Sequence, residues 1–188
     1  MPFMNNDLIE TNLRGSCFRF KTKPGVFSKH QIDTGTTLLI NSLEIQTTDN
    51  ILDLGCGYGP IGTVAARLAP KGQTTLIDAN IRAIKLAEEN IKLNNIPNAN
   101  VILSDGLEAV SNLRFNLIVS NPPASAGLGI FEEFIHDAYR CLVNNGCVYF
   151  VTQERLKPAV DRLFKHFFGN YKLVNRSRGY IISLAVKK

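Results

Sequence analysis

The sequence predicts an α/β fold: a doubly wound, mainly parallel seven-stranded sheet with helices on both faces and an antiparallel hairpin at its C-terminal edge. Three observations carry this. Short apolar runs alternate with helix-length segments from residue 51 to residue 168, the order that builds a parallel sheet covered on both sides. The first of these runs, Ile51-Leu52-Asp53-Leu54, passes directly into Gly55-Cys56-Gly57-Tyr58-Gly59, a buried strand entering a tight turn that opens a helix. The last two runs, Tyr171 to Arg176 and Tyr180 to Val186, are joined through Ser177-Arg178-Gly179, which reads as a hairpin.

Taken in order, residues 1 to 16 show little periodicity and read as a loosely ordered lead-in. Phe18-Arg19-Phe20-Lys21-Thr22-Lys23 alternates strictly, as a half-buried strand does. Its phenylalanines face one side, and Arg19, Lys21 and Lys23 line the other. That basic side has two readings: a solubilised edge strand, since lysine on an edge discourages aggregation, or a contact for an RNA backbone. Pro24-Gly25-Val26-Phe27-Ser28 is a turn with an apolar side chain, and Phe27 either plugs the core or walls a pocket. A helix follows from about Ile32 to Leu43. After the glycine turn, Pro60 to Ala69 reads as helix and Thr74 to Asp78 as a strand ending in an acid. Ile81 to Asn94 is amphipathic, with Ile84, Ala87 and Ile91 at helical spacing. Val101 to Leu103 and Phe115 to Ser120 are strands, the first running into Ser104-Asp105-Gly106 and the second into Asn121-Pro122-Pro123. A helix covers about Ile130 to Leu142, and a turn falls at Asn144-Asn145-Gly146. Cys147 to Thr152 is the next strand, and a helix spans about Pro158 to Phe168.

The totals bound the function. A chain of 188 residues, with 45% apolar and 20% charged residues, has the size and composition of one globular domain, 1–188. No apolar run approaches the roughly 18 residues of a membrane span. The start, Met1 to Asp7, lacks the basic-then-apolar order of a signal peptide. Cys17, Cys56, Cys141 and Cys147 form no Cys-x-x-Cys pair and have no histidine nearby, so no zinc site is expected and scattered thiols suit a reducing cytoplasm. The net charge of +5 leans toward a polyanionic partner. A monomer is expected.

The glycine turn leaves room for a ligand across the carboxyl end of a strand, where open α/β sheets bind. Two ligands compete for it. Gly57-x-Gly59-x-x-Gly62 formally satisfies the dinucleotide fingerprint, with Asp78 about 20 residues on as its ribose acid. Asp53 argues the other way: a carboxylate at the strand tip repels pyrophosphate and suits the cationic amino acid end of S-adenosylmethionine. The remainder of the Rossmann-like pattern supports the second ligand. Four strand ends carry Asp53, Asp78, Asp105 and Asn121, which parallel strands project into one crevice. The ligand's chemistry divides their work: Asp53 near the methionine amine, Asp78 on the ribose hydroxyls, Asp105 on the adenine amino group. Asn121-Pro122-Pro123 is stiff and has lost two N–H donors. Its Asn121 side-chain oxygen and Pro122 carbonyl are an array that accepts both hydrogens of a planar NH₂ group.

These segments carry a resemblance. The chain resembles the class I S-adenosylmethionine-dependent methyltransferases through Asp53-x-Gly55-x-Gly57-x-Gly59. More narrowly, it resembles the catalytic domain of the small-subunit ribosomal RNA guanine-N2 methyltransferases. The narrower likeness rests on Gly25-Val26-Phe27-Ser28, Asp33-x-Gly35-Thr36, Ser120-Asn121-Pro122-Pro123 and Arg178-Gly179-Tyr180. It implies methyl transfer to a base amine, with Asn121, Pro122 and Pro123 holding the target. It also implies a cofactor site of Asp53, Gly55, Cys56, Gly57, Gly59, Asp78, Ala79, Asp105, Gly106 and Asn121, with S-adenosylhomocysteine as product and no metal. Two departures stand out. Many such enzymes place a stacking aromatic after the second proline, where this chain has Ala124, so stacking either comes from elsewhere, with Phe27 as the candidate, or is absent. Larger members carry a second, degenerate domain in front.

The expected reaction is direct displacement, in which the protein chiefly places the reactants. Orientation supplies about 7–11 kcal/mol of barrier lowering at best, and acceptors on the amine stabilise the charge developing there. No strong base is required, and His30, His136 and His166 have no catalytic role in this reading. A small-subunit particle or its RNA is the expected partner, with Arg19, Lys21, Lys23 and Arg178 as contacts and a flipped or single-stranded target base. The alternatives are a protein glutamine-amide methyltransferase, an NAD-binding dehydrogenase and a non-catalytic RNA-binding domain.

Overall fold

The computed structural model describes residues 8–23, 31–123 and 127–188. Two strands come first, β1 (Leu8–Leu13) and β2 (Ser16–Lys21), paired antiparallel. This corrects the expectation of a loose lead-in for residues 8 to 16. Ile9 and Leu13 are buried, and Arg14 and Gly15 take φ of 50° and 80°, as a two-residue turn matched to the twist of its strands requires. The hairpin needs a partner beyond itself, because two strands alone are marginal in water. It has one in the apolar cluster that Phe18 and Phe20 enter.

The rest of the chain runs α1 (Thr34–Ser42), β3 (Ile51–Leu54), α2 (Pro60–Leu68), β4 (Thr74–Asp78), α3 (Ile81–Leu93), β5 (Ala99–Leu103), β6 (Phe115–Ser120), α4 (Leu128–Cys141), β7 (Leu142–Gln153), α5 (Lys157–Phe168), β8 (Lys172–Ser177) and β9 (Tyr180–Val186). Strands β3 to β9 form one sheet in the order β5-β4-β3-β6-β7-β9-β8. Pairing is parallel from β5 through β7 and antiparallel from β7 through β9 to β8. The expected seven-stranded, doubly wound sheet with its antiparallel edge is the fold observed.

Side-chain alternation assigns the two faces. Ile51, Leu117, Val119, Tyr149 and Val151 meet α1, α2, α3 and the β1–β2 hairpin. Leu52, Leu54, Ile118, Val148 and Phe150 meet α4 and α5. The expected turn at Asn144-Asn145-Gly146 is instead an irregularity inside β7. Asn145, at φ 65°, donates its N–H to the Lys187 carbonyl at 2.8 Å, and the β6–β7 register shifts between Phe115 and Leu117. The turn residues thus re-aim a long strand without ending it.

The chain leaves β3 for β4 and β5 on one side and returns to β6 on the other. β3 and β6 therefore flank the point where the winding reverses, and crevices open at the carboxyl ends of such strands.

Candidate active site

The crevice is a cavity of about 400 Å³ walled by the ends of β3, β4, β5 and β6, the start of α1 and the first turns of α4. Gly55 and Gly57 line it at φ of 72° and 57°, and a side chain added at either would meet nothing within 4 Å. Their main chain is the cavity floor, open to close approach by a ligand. Gly59 and Gly62 serve packing instead. Gly59 begins α2 at φ 88° and does not line the cavity. A Cβ on Gly62 would lie 2.5 Å from Leu76 Cγ, so α2 rests on β4 only because that position is glycine.

The four polar strand ends divide. Asp78 and Asp105 line the cavity, with Ala79 and Gly106 beside them. Asp78 is held from both sides: Oδ2 accepts from Gly57 N–H at 2.9 Å, and Oδ1 from Asn80 N–H at 2.8 Å. Asp53 departs from expectation. It is fully buried, lies outside the cavity wall and points under the glycine turn, where Oδ2 accepts from Gly62 N–H at 2.7 Å. Alternation explains this: Leu52 and Leu54 face α4 and α5, so Asp53 between them faces α2. There it caps a helix whose own N-cap, Gly59, has no side chain to do so. Burial, with Asp78 adding to it, raises its carboxyl from an ordinary 3.8 to about 7 against the opposing pull of the Gly62 bond.

Asn121 lines the cavity at the tip of β6. Its Nδ2 donates to Thr36 Oγ1 at 2.8 Å and to Asp33 Oδ2 at 3.3 Å. Pro123 joins the wall, whereas Pro122 is buried behind it. Phe27 and Ala124 lie outside the described residues. Cys56 also lines the cavity, but burial first, then Asp53 and Asp78, push its thiol well above the ordinary range. It therefore stays protonated and is no nucleophile.

Sequence reasoning missed part of this wall. Asp33 and Thr36 carried family likeness without a role, although aspartate is among the preferred N-cap residues. Asp33 Oδ2 does accept from Thr36 N–H at 3.0 Å. Ile130, Glu133 and Phe134 of α4 line the cavity too, and nothing local in the sequence marks them. The basic residues lie elsewhere. Arg19 and Lys21 are exposed on β2, which docks on α3, and Lys23 is exposed just beyond that strand, while Arg178 sits in the β8–β9 turn at the β8 edge of the seven-stranded sheet. Lys21 pairs with Glu89 at 2.9 Å and Arg176 with Glu154 at 3.5 Å.

Electrostatics separate the competing ligands. Asp33, Asp78, Asp105 and Glu133 line the cavity, and no lysine or arginine does so among the described residues. A pyrophosphate meets four carboxylates there, and a ligand with a cationic end meets attraction. The family model of the methyltransferase small domain matches residues 17–183. The chain belongs to that family. Its methyltransferase membership sets aside the dinucleotide reading of Gly57 to Gly62.

Relatives and structures agree with the placement. An uncharacterized protein, YbxB of Bacillus subtilis, is 34% identical over 93% of this chain and 89% of its own length. The ribosomal RNA small subunit methyltransferase C of Hamiltonella defensa is 36% identical over 85% of this chain and 47% of its own. The ribosomal RNA large subunit methyltransferase G of Psychromonas ingrahamii is 33% identical over 86% and 44%. The chain thus spans about half the length of these two ribosomal RNA methyltransferases. A 16S rRNA N2 methyltransferase (RsmC) of T. thermophilus, solved in complex with AdoMet and guanosine, superposes with a TM-score of 0.85 at 23% identity, over 96% of this chain and 50% of that one. At that identity the likeness is one of fold.

Proposed function

We propose that the chain transfers a methyl group from S-adenosylmethionine to an exocyclic amine, guanine N2 of ribosomal RNA. The observation that carries the reading is an acid-walled cavity opening beside the anchored amide of Asn121. The residues fit the cofactor. Gly55 and Gly57 leave space for its methionine portion, Asp78 holds a preset carboxylate for ribose hydroxyls, and Asp105 stands at the β5 end for the adenine amino group. When bound, S-adenosylmethionine supplies an already activated methyl on a sulfonium, open to direct in-line displacement.

The chain's task is then placement and exclusion of competing nucleophiles. Asn121 Oδ1 accepts from the amine and fixes its angle, with the Pro122 carbonyl as second acceptor and Pro123 closing the wall. As positive charge grows on the amine nitrogen, these oxygens stabilise it. Its proton becomes acidic as the nitrogen is alkylated and passes to solvent, so no basic side chain is required. Arg19, Lys21, Lys23 and Arg178 contact RNA phosphates, in the cytoplasm and on RNA of the small-subunit particle. The activities that name the ribosomal RNA relatives support the acceptor class.

Calorimetric titration and a methylation assay test this together. S-adenosylhomocysteine should bind and NADH should not, and Asp78→Ala should lose the binding. Label from the methyl donor should enter small-subunit RNA as N2-methylguanine, with Asn121→Ala reducing the rate about a hundredfold or more, the scale of removing one transition-state hydrogen bond. Label on a protein glutamine amide, or on another base, would replace the acceptor named here.

A further inference from the structure

We propose that Thr36 and Asp33 are positioning residues that decide which end of the Asn121 amide faces the acceptor. The proposal rests on the reading of Asn121 as the group that grips the amine. An asparagine side chain carries an acceptor and two donors on one planar group, and the two ends differ little in shape. A primary amine presents N–H donors, so only the Oδ1 end serves it. An amide free to turn over would spend part of its time offering NH₂ to NH₂, which binds nothing.

The structure removes that freedom. A carboxylate only accepts hydrogen bonds, so the amide atom facing Asp33 Oδ2 must be nitrogen, and it lies at 3.3 Å. Thr36 Oγ1, at 2.8 Å from the same nitrogen, takes the second hydrogen. With both N–H bonds spent on α1, Oδ1 is the only end left for the cavity. The two anchors are themselves fixed. Asp33 is the N-cap of α1, its Oδ2 bonded to Thr36 N–H at 3.0 Å, and its charge, after burial, raises the nearby Tyr180 hydroxyl above the ordinary range. Tyr180 also sets how close β9 comes to α1: a Cβ on Gly35 would lie 2.9 Å from the Tyr180 ring. Thus α1, β6 and β9, far apart in sequence, meet at one amide. The glycine in Asp33-x-Gly35-Thr36 is there because the tyrosine ring is.

The test separates orientation from folding. Thr36→Val keeps shape and removes the hydroxyl; Thr36→Ser restores it. Asp33→Asn keeps a good N-cap but replaces the acceptor-only group with one able to present either end. Methyl transfer to small-subunit RNA is measured alongside S-adenosylhomocysteine affinity and thermal unfolding. Thr36→Val and Asp33→Asn should each lower kcat about tenfold to a hundredfold, the scale of a small misplacement of reacting groups. In Thr36→Val, cofactor affinity should stay within twofold; the unfolding midpoint should stay within a few degrees in both variants, and Thr36→Ser should recover most of kcat. Wild-type kcat in Thr36→Val, or a loss in Thr36→Ser as large as in Thr36→Val, would overturn the positioning role while leaving the methyltransferase reading intact. An Asn121→Ala chain as active as wild type would overturn the reading beneath it.

Discussion

Asp53 shows how one residue's chemistry depends on which way a strand turns it. Its carboxyl is fully buried, with one oxygen on Gly62 N–H and the other without a partner among the described residues. Desolvation disfavours the charged form and outweighs the single N–H. In the unfolded chain the group titrates near 3.8, in the folded chain near 7. Between those values the folded state binds the more protons, so the group's contribution to stability falls as pH rises through that window. Well below pH 3.8 it is protonated in both states and contributes no pH dependence. Asp53→Asn keeps the acceptor for Gly62 N–H and removes the titration. Its unfolding free energy relative to wild type should therefore improve between pH 4.5 and pH 7.5, as read by urea denaturation at each. A difference that does not change with pH would mean that the carboxyl is not held protonated by its surroundings. Asp53 does not line the cavity, for a reason visible in the alternation of Leu52, Asp53 and Leu54. Asp78 and Asp105 end their strands at the crevice and face the cavity as the sequence suggested.

At the scale of elements, the β1–β2 hairpin is tied to the cofactor turn by two asparagines, Asn90 on α3 and Asn94 at its C-cap. The Asn94 side chain accepts from Arg19 N–H at 3.0 Å and donates to the Arg19 carbonyl at 2.7 Å. The Asn90 side chain does the same for Lys21, at 2.7 and 3.0 Å, and also donates to the Tyr58 carbonyl at 2.8 Å. Spaced four apart on a helix, the two amides copy the edge of a strand. They satisfy the outer edge of β2, which would otherwise be open to pairing with another chain. Below them, Phe20 packs edge-on against Tyr58 with ring centroids 6.0 Å apart. Asn90→Ala leaves Lys21 N–H, its carbonyl and the Tyr58 carbonyl without that partner, at about 1–3 kcal/mol for each buried group left unsatisfied. Amide exchange at Lys21 should speed by at least tenfold, and S-adenosylhomocysteine affinity should fall with it because Tyr58 lies in the turn. Unchanged exchange would mean that β2 holds to α3 through its phenylalanines alone. This bond set was not legible from sequence. An asparagine inside an amphipathic helix reads as a solvated residue until the strand it serves is known, and β1 was missed with it because only Ile9 and Leu13 are buried there.

For the whole molecule, what was legible followed local rules and what was not depended on distant contact. β4 and β6 ended where apolar runs met acid or Asn-Pro, and the closing hairpin was marked by Arg178-Gly179, whose φ values of 50° and 80° repeat those of Arg14-Gly15. The cavity wall from α4 and the Asp33–Thr36–Asn121 junction join residues 88 and 85 positions apart, a separation that no periodicity reports. The basic residues pose the same problem on the surface. Adding their charges suggested one RNA-binding face, yet β2 docks on α3, which packs against β4 and β5, whereas Arg178 sits in the β8–β9 turn at the other end of the strand order. If RNA reaches the cavity over β2, the triple change of Arg19, Lys21 and Lys23 to glutamine removes up to three phosphate contacts. Removing one such ion pair lowers the slope of log affinity against log salt by about 0.7–0.9. The slope should then fall by about two in titrations from 50 to 200 mM salt, with cofactor affinity unchanged. Arg178→Gln alone should lower it by no more than about one unit. A triple variant with the wild-type slope and an Arg178→Gln variant without it would move the RNA path to the hairpin edge. Arg178 stands two residues from Tyr180, so RNA arriving there would bear directly on the Asp33 side of the amide junction.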